Sequence, residues 1–411
     1  VDKPNQAAEP IEVLAKLTEG RGIDRVLMYN PDAVALWIFE KYTHLFTPVM
    51  LGCDVTLPLQ TVMPSVTPVC FATMYTGAEP EIHGIQSYTK PVVKTDSVFD
   101  ALIRAGKSVV TSNKAVVEKH GKELSAEAEK NGVAYLYEAS AGGGIPVIHP
   151  ILHCLAGNDM QKVCGILNGT TNYILTKMFR FGENYTDALS DAQKLGYAER
   201  DPSADVLGWD SCRKIAILSS LAWGRTLMPS EIPTEGIDKI TADDVKTAEQ
   251  CGFSIKLLAR AKKLPDGKIF AKVSPALVKN DSPLATVNDV FNAVLIKAET
   301  TGEVLFYGKG AGKMPTASSV IADIIECAKT EGNIRTVFWE NGAQSAAAEK
   351  DSAYERYFIR TDCDISVLVP DAEKVSSQAY ITSPLNESGI RVLEEKINEH
   401  GKLLSKIPLF E

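Results

Sequence analysis

Clustered positive charge is what this sequence has least of. Lysine and arginine number 43 against 52 aspartates and glutamates over 411 residues, a formal net charge of −9, and the cations fall in scattered pairs such as Lys262 and Lys263. A polyanionic partner is held mainly through grouped cations, so the composition argues against nucleic-acid binding. Long apolar runs are missing too. Nothing approaches the roughly 20 residues of a spanning helix, and the opening VDKPNQAAEP has neither the basic nor the apolar stretch of a secretion signal. The expectation is a soluble, cytoplasmic protein with no membrane partner. No two of the eight cysteines (Cys53, Cys70, Cys154, Cys164, Cys212, Cys251, Cys327 and Cys363) form a C-x-x-C pair. Most sit in apolar runs such as HCLAG and VCGIL, which predicts reduced, buried thiols rather than disulfides or metal ligands.

What is present is ordinary globular composition, 45% apolar and 23% charged, in a chain long enough for two to four domains. The first hundred residues alternate strand-like and helix-like signals: RVLMY closes on Asn30-Pro31, and DAVALWIFEKY has helical spacing. From Ser97 the pattern sharpens. SVFDALIRAG predicts a helix, SVVTSN a buried parallel strand, KAVVEKHGKELSAEAEKNG a helix ended by Gly132, and VAYLYEAS a second buried strand. That succession implies a right-handed crossover and an α/β architecture. Past Gly142 come helical stretches around GIPVIHPILHCLAG, TNYILTKMFRFG, YTDALSDAQKLG and LGWDSCRKIAILSSLAWG. The extended segments KIFAKVSPALV, NAVLIKAET and EVLFYGKG follow, spaced as in an antiparallel sheet. A mixed α+β domain is expected over about 141–312, then the helix TASSVIADIIECAKTEG, a polar linker, and a small tail domain.

Asp210 and Lys214 lie four apart in a window of helical periodicity, so they share one face. There the carboxylate could hold a cationic substrate group and the ammonium could exchange a proton. The same spacing also describes a solvated salt bridge. Glu199, in the loop GYAERDPSADVLG before that helix, adds a second carboxylate, and the set suits a zwitterionic amino acid or a carbonyl. Two glycine loops stand out. EASAGGGIP (138–146) permits close backbone approach and could turn carbonyls toward a hard cation. GKGAGKMPT (308–316) leads into a helix whose first N–H groups could meet an anion. Each also reads as a plain tight turn, and neither matches G-x-G-x-x-G or a Walker A loop. His83, in EIHGI, could be a ligand, though an ordinary loop histidine is the plainer reading. His149 and His153 are four apart and could bind zinc, but no third ligand lies near them in the chain and Pro150 disturbs the helix.

Taken together, AGKSVVTSNKA (105–115), EASAGGGIPVI, GILNGTTNYILTKM, KLGYAERDPSADVLGWDSCRKIAIL and YGKGAGKMPTASSVIADI resemble homoserine dehydrogenases over some 220 residues in order. The resemblance implies reduction of aspartate semialdehyde to homoserine with NADP or NAD as cofactor, in a homodimer or higher homo-oligomer. It implies Lys214 as proton donor to the carbonyl oxygen, Glu199 and Asp210 as amino-acid ligands, and Lys114, Gly196 and Gly312 along the cofactor. It also implies a sodium ion near Glu138, Ala141, Gly143 and Ile145, with Ala141 standing where valine is usual. Residues 1–107 instead resemble the opening of a nucleotide pyrophosphatase or phosphodiesterase of the alkaline phosphatase superfamily, through RVLMYNPD, MPSVTPVCFATMYTGAEPEIHGI and TDSVFDALIRAGK. By that likeness Thr67 would be a nucleophile and Asp32 a stand-in for a metal ligand.

The chain therefore reads as chimeric. Its expected parts are a phosphatase-like segment (1–107), the rest of an incomplete Rossmann-like half (108–140 with the helix 313–333), a catalytic and dimerisation domain (141–312), and a degenerate ACT-like tail (336–411) lacking the usual Asp-x-Pro-Gly turn. With the G-x-G-x-x-G turn missing, weakened cofactor affinity is expected. A catalytically silent, amino-acid-binding dimeric scaffold and a metal-dependent phosphoesterase are the alternatives.

Overall fold

The computed structural model describes residues 103, 104, 106–329 and 346–411. Asp32, Thr67, His83, Cys53 and Cys70, with nearly all of the phosphatase-like segment and the start of the polar linker, lie outside the described residues. The chain divides into two units, residues 1–109 with 127–134, and residues 110–126 with 135–411. In the first, Val109 N–H donates to Ala134 O at 2.8 Å. Everything that follows concerns the second.

Two short strands, β1 (Val109–Val110) and β2 (Tyr135–Leu136), pair as a two-stranded sheet. Between them runs α1 (Lys114–Lys130), its start held by the Asn113 side chain, which accepts from the Ala115 and Val116 N–H groups. Both predicted strands are shorter than their apolar runs. In the second, residues 138–140 turn into a 3₁₀ segment instead of extending.

The larger element is a five-stranded antiparallel sheet of order β5-β4-β3-β6-β7. It is built from β3 (Met160–Ile166), β4 (Phe253–Lys263), β5 (Ile269–Lys279), β6 (Phe291–Ala298) and β7 (Gly302–Lys309). The last three are the predicted extended segments, and β3 and β4 complete the sheet between and beside them. One face gathers Cys164, Ile166, Leu258, Ala276, Val278, Ala293 and Leu295 under Leu284, Val287 and Phe410. Three helices pack against β4: α2 (Gly169–Phe181), α5 (Trp209–Trp223) and α6 (Ala242–Gln250). Covered so, β4 is buried along nearly its whole length, which explains why it reads as continuously apolar rather than alternating. α3 (Tyr185–Lys194) packs on α2, and the one-turn α4 (Ser203–Val206) leads into α5. Asn168, Asn184 and Thr241 cap α2, α3 and α6, and Gly182 and Gly224 end α2 and α5 in the left-handed region. α7 (Lys313–Lys329) follows β7 as the sequence predicts.

Residues 346–411 form a four-stranded antiparallel sheet, order β11-β8-β10-β9, from β8 (Tyr357–Thr361), β9 (Glu373–Lys374), β10 (Ala379–Ile381) and β11 (Leu403–Pro408). α8 (Glu387–His400) lays Ile390, Leu393 and Ile397 on it. This tail is joined to the main sheet, not hung from a free linker. Ile269 N–H donates to Ala346 O and Ala348 N–H to Ile269 O, at 2.8 and 2.9 Å. Glu355 takes ion pairs from Arg260 and Lys272 at 2.9 and 3.0 Å, and Arg360 Nε lies 2.8 Å from the fully buried Asp244.

The thiol expectation needs correcting. Cys164 and Cys212 are buried and free, but Cys154 is exposed, and Cys251, Cys327 and Cys363 are intermediate. Cys154 lies in a short turn that closes one end of the domain, where an apolar neighbourhood in sequence does not mean burial in space. No described helix is long and apolar enough to cross a membrane.

Removing one member of a buried ion pair strands the other. Asp244→Ala should therefore lower unfolding stability by about 3–5 kcal/mol in a denaturant titration, whereas a loss under 1 kcal/mol would show that Arg360 finds water instead.

Candidate active site

The site grows from the end of β3. There the chain leaves the sheet at Leu167, and Asn168 caps α2 by accepting the Thr171 N–H at 2.9 Å. The amide nitrogen of Asn168 points the other way, donating to Asp205 Oδ1 at 2.7 Å and to Asp210 Oδ2 at 3.0 Å. Asp210 is the second residue of α5, where the helix dipole favours an anion. Gly208 sets up that start: its φ of 85° suits glycine, and a Cβ there would lie 3.1 Å from Thr234 Cγ2.

Two ammonium groups close on the Asp210 carboxylate. Lys214 Nζ, one turn along α5, lies 2.8 Å from Oδ2 and donates to the Leu167 carbonyl at 2.7 Å. Lys114 Nζ, from the first residue of α1, contacts Oδ1. Asp210 and Lys214 are only 5% and 7% exposed, which rules out the solvated surface pair that spacing alone allowed. Burial by itself would raise the Asp210 carboxyl, but the two ammonium charges and their hydrogen bonds outweigh it and hold the group below the usual carboxylate range. Asp205 goes the other way, raised by its burial and by the charge of Asp210.

Several expected residues meet here and others do not. Asp210, Lys214 and Lys114 converge, so Lys114 belongs to the ion cluster itself. Glu199 sits exposed on the loop after α3, its carbonyl accepting from Gln193 Nε2 at 3.2 Å, and its carboxylate is not part of the cluster. Asn168, Asp205 and the Leu167 carbonyl were missed from sequence. The signal was available in LNGTT, an asparagine in N-cap position where a strand gives way to a helix.

The two glycine loops, far apart in sequence, lie against each other. Gly143 has φ of +60°, and a Cβ on it would fall 2.1 Å from Gly310 O; a Cβ on Gly144 would strike Pro315. Ser319 Oγ of α7 donates to Gly143 O at 2.7 Å, and Asp323 accepts the Glu138 N–H at 2.9 Å. Burial, with Glu138 and Glu326 nearby, pushes Asp323 up to about 7. Glu138 is buried with its carboxylate already accepting the N–H groups of Val147, Ile148 and His149 at 2.6, 2.9 and 2.7 Å. Any cation role for it therefore falls to its main chain, not its carboxylate. Ala141 and Ile145 are buried, while Gly196 and Gly312 are exposed at positive φ, with nothing within 4 Å of a Cβ on Gly196.

A fold with a buried lysine and carboxylate beside two interlocked glycine loops defines an oxidoreductase-type site. The family model for homoserine dehydrogenase matches residues 146–325, and that for type I phosphodiesterase or nucleotide pyrophosphatase matches residues 38–134. The homoserine dehydrogenase of Lactococcus lactis is 40% identical over 372 residues, covering 90% of this chain and 80% of that protein. That of Corynebacterium glutamicum is 42% identical over 312 residues, 74% and 68% of the two chains. Among solved structures, the homoserine dehydrogenase of Thiobacillus denitrificans has a TM-score of 0.69 at 32% identity, over 76% of this chain and 79% of that one. A hyperthermophilic archaeal homoserine dehydrogenase mutant in complex with NADPH has 0.51 at 29%, over 65% and 84%. This chain belongs to the homoserine dehydrogenase family. The matches do not favour the silent-scaffold and phosphoesterase alternatives, and the second family match accords with a foreign N-terminal segment.

A carboxyl depressed in the folded state contributes stability that is full above its ordinary value near 3.8 and is lost as pH falls below it. Asp210→Asn should thus flatten the acid limb of the stability profile below about pH 4, measured by urea unfolding as the difference from wild type. A parallel profile would mean that the two ammonium groups do not hold the charge.

Proposed function

We propose that this chain reduces L-aspartate 4-semialdehyde to L-homoserine with NADPH or NADH. The observation that carries this reading is the buried Lys214 ammonium, fixed at 2.7 and 2.8 Å by the Leu167 carbonyl and Asp210. Those contacts use two of its three N–H bonds and leave the third for a substrate oxygen. When bound, the nicotinamide supplies the hydride. As the carbonyl carbon accepts it, the C=O pair moves onto oxygen, and Lys214 first stabilises and then protonates that oxygen. Asp210, bonded to two ammonium groups and an amide, acts by orienting Lys214. Glu199, exposed and outside the cluster, is the carboxylate left to receive the substrate's amino group.

Lys114, Gly196 and Gly312 fit a dinucleotide: both glycines leave the backbone open to close approach, and α7 begins at the next residue, Lys313, with free N–H groups toward an anion. A sodium ion fits the main-chain oxygens of Glu138, Ala141, Gly143 and Ile145, hard ligands on one tight turn where a Cβ on Gly142 would lie 2.2 Å from Ile145 O. On the edge of the main sheet, Leu305 and Tyr307 stay 37% and 54% exposed on β7, beside the buried face of Leu295 and Ala293. We assign that strip to a homodimer contact.

Lys214→Ala should lower kcat by about 100-fold or more with aspartate semialdehyde while dinucleotide affinity stays within a few-fold. Undiminished turnover would remove the proposal. Titration of the unmodified chain with NADPH and NADH separates a lost cofactor site from a lost proton donor: absence of binding to either would place the defect in the replaced segment.

A further inference from the structure

His149 and His153 want a third ligand in sequence and gain one in space. The helical turn 148–154 presents both imidazoles, stacked with ring centroids 4.3 Å apart and planes 34° from parallel. From the opposite side α7 brings Glu326, whose Oε2 lies 3.4 Å from His149 Nδ1. One ligand atom from each of the three lies within 4.8 Å of the others. Ligands of a tetrahedral cation with bonds of about 2.0–2.1 Å stand about 3.4 Å apart. The His149–Glu326 edge already has that length, and the remaining edges need to close by at most about 1.4 Å, a small imidazole rotation for side chains at the surface.

The backbone beneath is fixed more firmly than a surface turn usually is. Glu138 accepts the N–H of Val147, Ile148 and His149, so the turn's start is pinned by a buried carboxylate. Residues 150–154 form a single wide π turn with Pro150 at its start, which spends the missing proline N–H where no partner is needed and keeps the two histidines on one side. α7 is pinned to the same neighbourhood through Ser319 to Gly143 and Asp323 to Glu138.

We propose that His149, His153 and Glu326 bind a divalent transition-metal ion, with zinc the best chemical match. Two imidazole nitrogens and one carboxylate oxygen form the three-ligand set that leaves a fourth position to water. The site is separate from the Asp210 cluster and differs in chemistry from the all-oxygen turn at 138–145. Binding exchanges the His149–Glu326 contact for metal bonds and ties the 148–154 turn to α7, so it braces the two glycine loops against each other.

The test is a titration of the metal-free full chain with Co²⁺, read by its ligand-field absorption and followed by displacement with Zn²⁺. One equivalent should bind per chain, and His153→Gln and Glu326→Gln should each weaken it at least tenfold, with unchanged far-UV circular dichroism. His120→Gln, at a histidine on α1 paired with Glu123, and Cys154→Ser should leave it unaltered. No saturable binding, binding indifferent to both site variants, or binding lost in Cys154→Ser would overturn the proposal.

Discussion

The site depends on one buried carboxylate shared by two lysines. Charge taken from water must be paired and hydrogen-bonded, and Asp210 meets that condition with Lys114, Lys214 and Asn168 together. The arrangement draws on three separate elements: α1 for Lys114, α5 for Asp210 and Lys214, and the β3 to α2 junction for Leu167 and Asn168. Moving any of them would leave an uncompensated charge in the interior. The carboxylate is thus both a registration point for the fold and the group that aims the proton donor.

A second constraint is steric. Gly143 and Gly310 approach so closely that neither tolerates a side chain, and this contact locks the turn after β2 to the start of α7. Ser319 and Asp323 then bond back across the same seam, and Glu138 links it to the 148–154 turn. Main-chain oxygens, exposed glycines and the histidine pair all hang on that one seam, so a cation bound there would act on the geometry of the neighbouring loops.

Much of this was legible in the chain. Asp210 and Lys214 reveal their shared face by helical spacing, and the two glycine loops announce close backbone approach, because these are local patterns. Burial of the Asp210–Lys214 pair was not legible, since spacing says nothing of what covers a helix face. The partnership of Lys114 and Asp210, 96 residues apart, and the arrival of Glu326 beside His149 are products of long-range packing. β3 and β4 escaped notice for a related reason: buried on both faces, they show no alternation. The tail's attachment through Glu355, Arg360 and residues 346–348 likewise lay in partners from the main sheet, which a composition suggesting a linker cannot disclose.

The direct measurement is a crystal structure of the chain with homoserine and an oxidised nicotinamide dinucleotide. The account predicts the homoserine hydroxyl oxygen within hydrogen-bond reach, about 3 Å, of Lys214 Nζ, with Asp210 still bridging the two lysines. A hydroxyl facing solvent or another residue, with Lys214 Nζ remaining turned to Leu167 and Asp210 alone, would contradict it.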